Sequence, residues 1–236
     1  MFLRRKQHKK KFDINSDSTR VGFTLIEILV SISIIVILSS VVLWNQSQAA
    51  QNVNLANATN ELLVRLREAQ TYGVSVKVTD TLSGDTFDAG YGLYLAFGTD
   101  YIIFFADKDG DNEYDGDATC QTGATYECLD KFILRGNVKI VDMCGFVGNG
   151  TGNEKCAVEN NAQLDSVSIV YQRPTPATNV QFYRNNGATP SPESFRDGRV
   201  VLKLGYDISP TNQPPADLCR KIDVYKTGQI TSDTSC

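Results

Sequence analysis

The sequence predicts an α+β fold: one long amino-terminal helix, membrane-spanning in its first half, packed through its second half on an antiparallel β-sheet head. Three observations carry this. A run of 22 residues from Phe23 to Trp44 holds a single charge, Glu27. Neither proline nor glycine interrupts the chain from Phe23 until Gly73. Beyond Gly73 the texture changes to short β-branched and aromatic runs set between clusters of Gly, Asn, Asp and Pro. With 236 residues, 42% of them hydrophobic, the chain can bury one good-sized core, and nothing in it demands a second.

The elements follow in chain order. Residues 1–22 carry seven Lys/Arg and two Asp/Glu, a balance of +5, which leaves −9 for residues 23–236 within the overall −4. A basic segment directly before an apolar run marks the end retained in the cytoplasm, and the acidic remainder is the translocated portion. An acidic body also has no general attraction for nucleic acid. As a helix, residues 23–44 rise about 33 Å, enough to cross a bilayer. Fifteen of those 22 residues are Leu, Ile, Val or Phe. They contribute roughly −4.5 to −9 kcal/mol to insertion, whereas one carboxylate opposes it by at most about 3 kcal/mol. Insertion wins. Trp44 is placed to mark the far interface, and Glu27, in lipid, needs a partner that the apolar run does not supply.

Residues 45–73 continue the helix as an amphipathic segment. Leu55, Thr59, Leu62, Leu66, Ala69 and Gly73 form one stripe, with Glu61, Arg65, Arg67 and Glu68 off it. Residues 74–236 form the β-rich head. Its expected strands are VSVKVT (74–79), YGLYLAF (91–97), YIIFFA (101–106), KFILRG (131–136), VKIVDM (138–143), SVSIVY around Val167, VQFY (180–183), RVVLKLG (199–205) and KIDVYKTGQI (221–230), arranged as an antiparallel meander. Gly98-Thr99-Asp100 and Lys226-Thr227-Gly228 read as hairpin turns, and all seven prolines fall outside the expected strands.

Six cysteines, Cys120, Cys128, Cys144, Cys156, Cys219 and Cys236, lie in the exported part, where an even count points to disulfides. Six cysteines permit 15 pairings, and their grouping makes the sequential one simplest: 120 with 128, 144 with 156, 219 with 236. No Cys-x-x-Cys is present, and the one histidine, His8, sits in the basic leader. That excludes cysteine–histidine zinc sites and every His-dependent triad from the exported chain, and we expect no enzyme.

The run Asp107-Lys108-Asp109-Gly110-Asp111-Asn112-Glu113-Tyr114-Asp115-Gly116-Asp117 follows an apolar strand. Carboxylates at Asp107, Asp109 and Asp111, a main-chain carbonyl at Glu113 and a further carboxylate at Asp115 match the early half of an EF-hand-type calcium loop. The sixth position is Asn112 where Gly is usual. The twelfth is Ala118 where a bidentate Glu is usual, though Asp117 can stand in. A solvated acidic turn is the competing reading, and an exposed Gly/Asn-rich loop desolvates carboxylates too little for acid–base catalysis. GNGTGN (148–153) lacks the Gly-Lys-Ser/Thr ending of a phosphate loop, and the formal Asn149-Gly150-Thr151 sequon has nothing else to support it.

An ordinary secretory signal has its cleavage site after the apolar region; here the cleavable feature, Gly22-Phe23, comes before it. Gly22-Phe23-Thr24-Leu25-Ile26-Glu27, after a basic leader and opening an apolar helix, resembles the class III signal of type IV pilins and type II secretion pseudopilins. The resemblance implies a pilin-like fold, and removal of residues 1–22 by a prepilin peptidase with methylation of the new amino terminus at Phe23. It also implies that Glu27 pairs with the Phe23 amine of an adjacent subunit and sets register during assembly. The partners implied are the peptidase, the membrane and other pilin or pseudopilin subunits. The chain would be single-pass in the cytoplasmic membrane with an extracytoplasmic head, then part of an extracellular or periplasmic filament. The helix-to-strand segment ELLVRLREAQTYGVSV and the ending CRKIDVYKTGQITSDTSC are similar to the GspH/FimT-like minor subunits. In a DNA-uptake pilin of that kind, Tyr171-Gln172-Arg173 and Phe182-Tyr183-Arg184 would be the nucleic-acid contacts. Ca2+ is the one cofactor the sequence suggests, since several pseudopilins carry calcium loops. A signal-anchored, calcium-binding surface adhesin is the alternative function.

Overall fold

A computed structural model describes residues 22–75, 89–123, 126–146, 154–157, 164–174, 177–185, 190–193, 197–206, 218–234 and 236. The leader before Gly22, the side chain of Trp44, most of the expected strand 74–79, the GNGTGN segment and the Asn149 sequon lie outside the described residues. The chain divides into two compact units, Met1–Gln46 and Ser47–Cys236.

In the first unit Gly22, Phe23 and Thr24 precede helix α1, which spans Leu25–Val74 and so extends into the second unit. The helix starts at Leu25, two residues later than expected, because Thr24 caps it: its Oγ1 and its carbonyl oxygen both accept from the Glu27 N–H, at 3.3 and 3.1 Å. Leu25–Leu43 is apolar and long enough to be a membrane anchor or a signal sequence. Among the described residues none of it is buried. Ser31 and Ser33 donate their hydroxyls back to the Glu27 and Leu29 carbonyls, at 2.7 and 2.8 Å, which hides their polarity within the helix.

In the second unit the expected stripe is the buried one. Leu55, Leu62, Leu66 and Ala69 have no exposed surface, and Ala58 and Thr59 are nearly as buried. Each buried leucine contributes roughly 1.5–3 kcal/mol. Arg65, off the stripe, pairs with Glu68 at 2.7 Å and lies 3.5 Å over the Phe132 ring. Ser75 donates its N–H to the Thr71 carbonyl, so Val74 ends the helix and does not begin a strand.

The strands among the described residues are β1 (Gly90–Ala96), β2 (Tyr101–Asp107), β3 (Cys128–Ile133), β4 (Lys139–Phe146), β5 (Glu154–Cys156), β6 (Leu164–Tyr171), β7 (Thr178–Asn185), β8 (Pro190–Glu193), β9 (Asp197–Gly205), β10 (Arg220–Tyr225) and β11 (Ile230–Asp233). The single expected meander is instead two antiparallel sheets, ordered β3-β2-β1-β6-β7-β8 and β11-β10-β9-β4-β5. Short meanders β1–β3, β6–β8 and β9–β11 persist, joined by the non-sequential pairs β1·β6 and β4·β9. Gly228, at φ +85°, allows the β10–β11 turn. Pro190 and Pro192 lie inside β8, correcting their assignment to a loop; β8 is an edge strand, where a missing N–H is tolerated.

One core cluster joins Leu62 and Leu66 of α1 to Leu93 and Leu95 of β1, Ile169 of β6, Leu202 of β9 and Ile222 of β10. Successive strand residues point to opposite faces, and YIIFFA is apolar at both phases. Ile102 and Phe104 accordingly enter this core, whereas Ile103 and Phe105 enter a second cluster on the other face with Val170, Tyr114 and Cys128. That outer face is covered by the acidic run and the segment after it.

Candidate functional site

The acidic loop leaves β2 at Asp107, whose carboxylate is fully buried. Its Oδ1 accepts from the Gly110 N–H at 2.7 Å and its Oδ2 from the Asn112 N–H at 3.1 Å. Asp109 accepts from Asp111 N–H (3.3 Å) and Asp111 from Glu113 N–H (2.8 Å), so successive aspartates wind the backbone into Asx turns. Asn112, standing where glycine is usual, takes the left-handed conformation, φ +67°, which asparagine tolerates, and accepts from the Asn179 side chain of β7 at 2.8 Å.

Glu127, just before β3, is the residue that sequence reasoning missed. It is 4% exposed, and its two oxygens accept from the Lys108 and Asp115 N–H groups, both at 2.9 Å. It thereby bolts both ends of the acidic run to the start of β3. Lys108 is buried, and its Nζ donates to the Gly123 and Tyr126 carbonyls at 2.9 and 2.6 Å. Tyr114 packs its ring 5.3 Å from Phe105 and 5.1 Å from Tyr94, and donates its hydroxyl to the Asp117 carbonyl at 3.0 Å. Cys120–Cys128 closes the loop, and Cys144–Cys156 and Cys219–Cys236 complete the sequential pairing.

Two carboxylate groups have ligand atoms mutually within 4.8 Å: Asp107, Asp109 and Glu127, and Asp109, Asp111 and Asp115. Asp107, Asp109, Asp111 and Asp115 thus fall in one or other of two groups that share Asp109. The ligand expected at Glu113 is a main-chain carbonyl, which this grouping does not test; burial raises the pKa of the Tyr183 phenol, and the Glu113 carboxylate beside it adds to the rise. Glu127 lies beyond the acidic run in sequence, and the only sequence signal for it is its place beside Cys128. Burial raises Asp107, with Asp109 adding to the rise. Burial likewise pushes Glu127 to about 7 and Asp111 to about 6, the neighbouring carboxylates adding in each case. Asp117, which accepts from the Thr119 hydroxyl and N–H, is instead lowered. The expectation of an exposed loop holds for Asp109, Asp111, Asp115 and Asp117 and fails at Asp107, which is buried.

Comparison with protein-family models, curated proteins and solved structures found no match. The chemistry must be read from these residues. Grouped carboxylate oxygens are the hard ligand type that divalent ions such as Ca2+ take. In the aromatic-basic patches the rings lie inside, with Tyr171 and Phe182 fully buried and Tyr183 8% exposed, while Gln172 and Arg173 are half-buried and the Arg184 side chain lies outside the described residues. At the other end of the chain, Phe23 and Glu27 are exposed and Gly22 has open space around it.

Proposed function

We propose that the chain is a structural subunit, a minor pilin or pseudopilin of a type IV pilus or type II secretion pseudopilus, and not an enzyme. In this reading a prepilin peptidase cuts between Gly22 and Phe23, and the subunit moves from the cytoplasmic membrane into a filament among sibling subunits. The observation that carries it is the exposed apolar helix Leu25–Leu43 opening directly after Gly22-Phe23-Thr24. Such a surface needs lipid or other helices around it. The string Gly-Phe-Thr-Leu-Ile-Glu sets this helix apart from a plain anchor.

Mass spectrometry of the chain from its host membranes tests this. A mature amino terminus at N-methyl-Phe23 is expected, and Gly22→Leu should abolish it, since a side chain at the cut obstructs close backbone approach. An intact leader in the wild type sinks the reading. The second reading, a signal-anchored calcium-binding adhesin, rests on the grouping of Asp107, Asp109 and Glu127. It predicts an uncut chain whose head is stabilised by added Ca2+.

A further inference from the structure

Gly22, Phe23 and Glu27 all have roles in that reading; Thr24 has none. We infer that Thr24 is a specificity-determining residue for leader removal, acting by ending α1 so that the Gly22–Phe23 amide is presented in non-helical backbone. The inference rests on the cleavage proposed above and adds a reason why that bond is accessible.

Three observations support it. Residues 22–24 are not helical, and the helix begins at Leu25. The Thr24 carbonyl is where the helical ladder starts, accepting from the Glu27 and Ile28 N–H groups at 3.1 and 3.3 Å. The Thr24 hydroxyl accepts from the Glu27 N–H at 3.3 Å, satisfying one of the donors that a helix start leaves open. Thr24-Leu25-Ile26-Glu27 has the spacing of a capping box, in which Ser or Thr at the cap answers a Glu three residues on.

Threonine at the cap favours a helix that stops there, its hydroxyl sharing the Glu27 N–H with the Thr24 carbonyl; without that second acceptor the boundary loses its preference, and the helix can add another turn on the amino-terminal side. That turn would take up the carbonyls of Gly22 and Phe23. Hydrolysis adds water across the Gly22–Phe23 C–N bond, leaving a carboxylate on Gly22 and an amine on Phe23. A peptidase must reach both faces of that amide, which a wound backbone hides. When winding is fast relative to cutting, the rate follows the population of the open form.

The test uses the full-length chain in membranes containing a prepilin peptidase, with cleavage timed by mass spectrometry. Thr24→Val keeps the side chain's shape and removes the capping oxygen; Thr24→Ser keeps the oxygen. The valine variant should be cut more slowly, by at most about fivefold, the change in the open-to-wound ratio for losing a cap of about 1 kcal/mol, and the serine variant at the wild-type rate. Carbonyl chemical shifts of Phe23 and Thr24 in micelles should turn helical in Thr24→Val alone. Equal rates for valine and wild type overturn the inference. So does slow cutting of both variants, or slow cutting of the valine variant without helical shifts, because each assigns the effect to direct contact with the peptidase. A wild-type chain not cut at Gly22–Phe23 defeats the filament reading itself, a separate outcome.

Discussion

Gly73 lies on the buried stripe of α1, and a methyl group there brings two effects into opposition. Gly→Ala inside a helix ordinarily gains about 1 kcal/mol from propensity. A Cβ built on Gly73, however, meets the carbonyl oxygen of Tyr171 well inside contact distance, and the Tyr171 carbonyl carbon and Cβ at 2.7 Å. Comfortable carbon–carbon contact lies at about 3.5–4.0 Å, so the methyl is short by about 1 Å. Tyr171 is fully buried in β6, and the obstructing atoms belong to its backbone and first side-chain carbon, so no rotamer change relieves them. The helix or the strand must shift, and overpacking of this kind costs up to about 3 kcal/mol. The clash outweighs the propensity gain by roughly 2 kcal/mol. For a chain of this size that corresponds to a fall in Tm of about 4–8 °C. Thermal unfolding of the full chain in detergent, followed by circular dichroism, reads this directly. Val64→Ala, on the exposed side of the same helix, is the control and should change little. A Gly73→Ala protein as stable as wild type would mean that α1 does not approach β6 this closely.

Two further outcomes follow from the head. Cys144 and Cys156 are both buried and face each other across β4 and β5, so the double serine variant should lose about 3 kcal/mol, measured by denaturant unfolding; an unchanged midpoint refutes a role for this bridge in stability. Burial holds folded Glu127 near 7, up from an ordinary 4.5, so between those values the folded chain keeps a proton that the unfolded chain has lost. Stability of the chelator-treated protein should therefore fall as pH rises from about 4.5 to 7, and Glu127→Gln should flatten that decline; equal slopes in the two proteins would remove Glu127 as its source.

The helix was legible because its signals are local. Leu55, Leu62, Leu66, Ala69 and Gly73 announce a face by spacing alone, and the structure buries that face. Strand existence was legible for the same reason, since YIIFFA and RVVLKLG have no alternative use in a soluble head. Strand partners were not. The pairs β1·β6 and β4·β9 join segments far apart in sequence, and no residue in either partner names the other. β5 and β8 were missed because Glu154-Lys155-Cys156 and Pro190-Ser191-Pro192-Glu193 lack apolar alternation and depend on their neighbours for pairing. The shift of the third strand toward Cys128 has a local cause: Leu134 donates to the Asp100 carbonyl, and Gly136 and Asn137 turn with positive φ, so pairing ends at Ile133.

Glu127 shows how structural need and site chemistry coincide in the acidic loop. With β2 apolar on both faces, the outer face of the six-stranded sheet must be covered, and the cover available is a loop with no ladder of its own. A loop pressed onto an apolar surface has N–H groups that water cannot reach, and each needs an acceptor. Asp107 answers Gly110 and Asn112; Glu127 answers Lys108 and Asp115. Carboxylates suit this task because each offers two oxygens, so one side chain fastens two points of the backbone. Burying them beside Asp109 then gathers carboxylate oxygens in one place. Asp107 and Glu127 are therefore braces first, and any affinity for a divalent ion is a consequence of where bracing put them. Asp109 and Asp115, exposed and outside the apolar contact, are the members of the group whose placement bracing explains least.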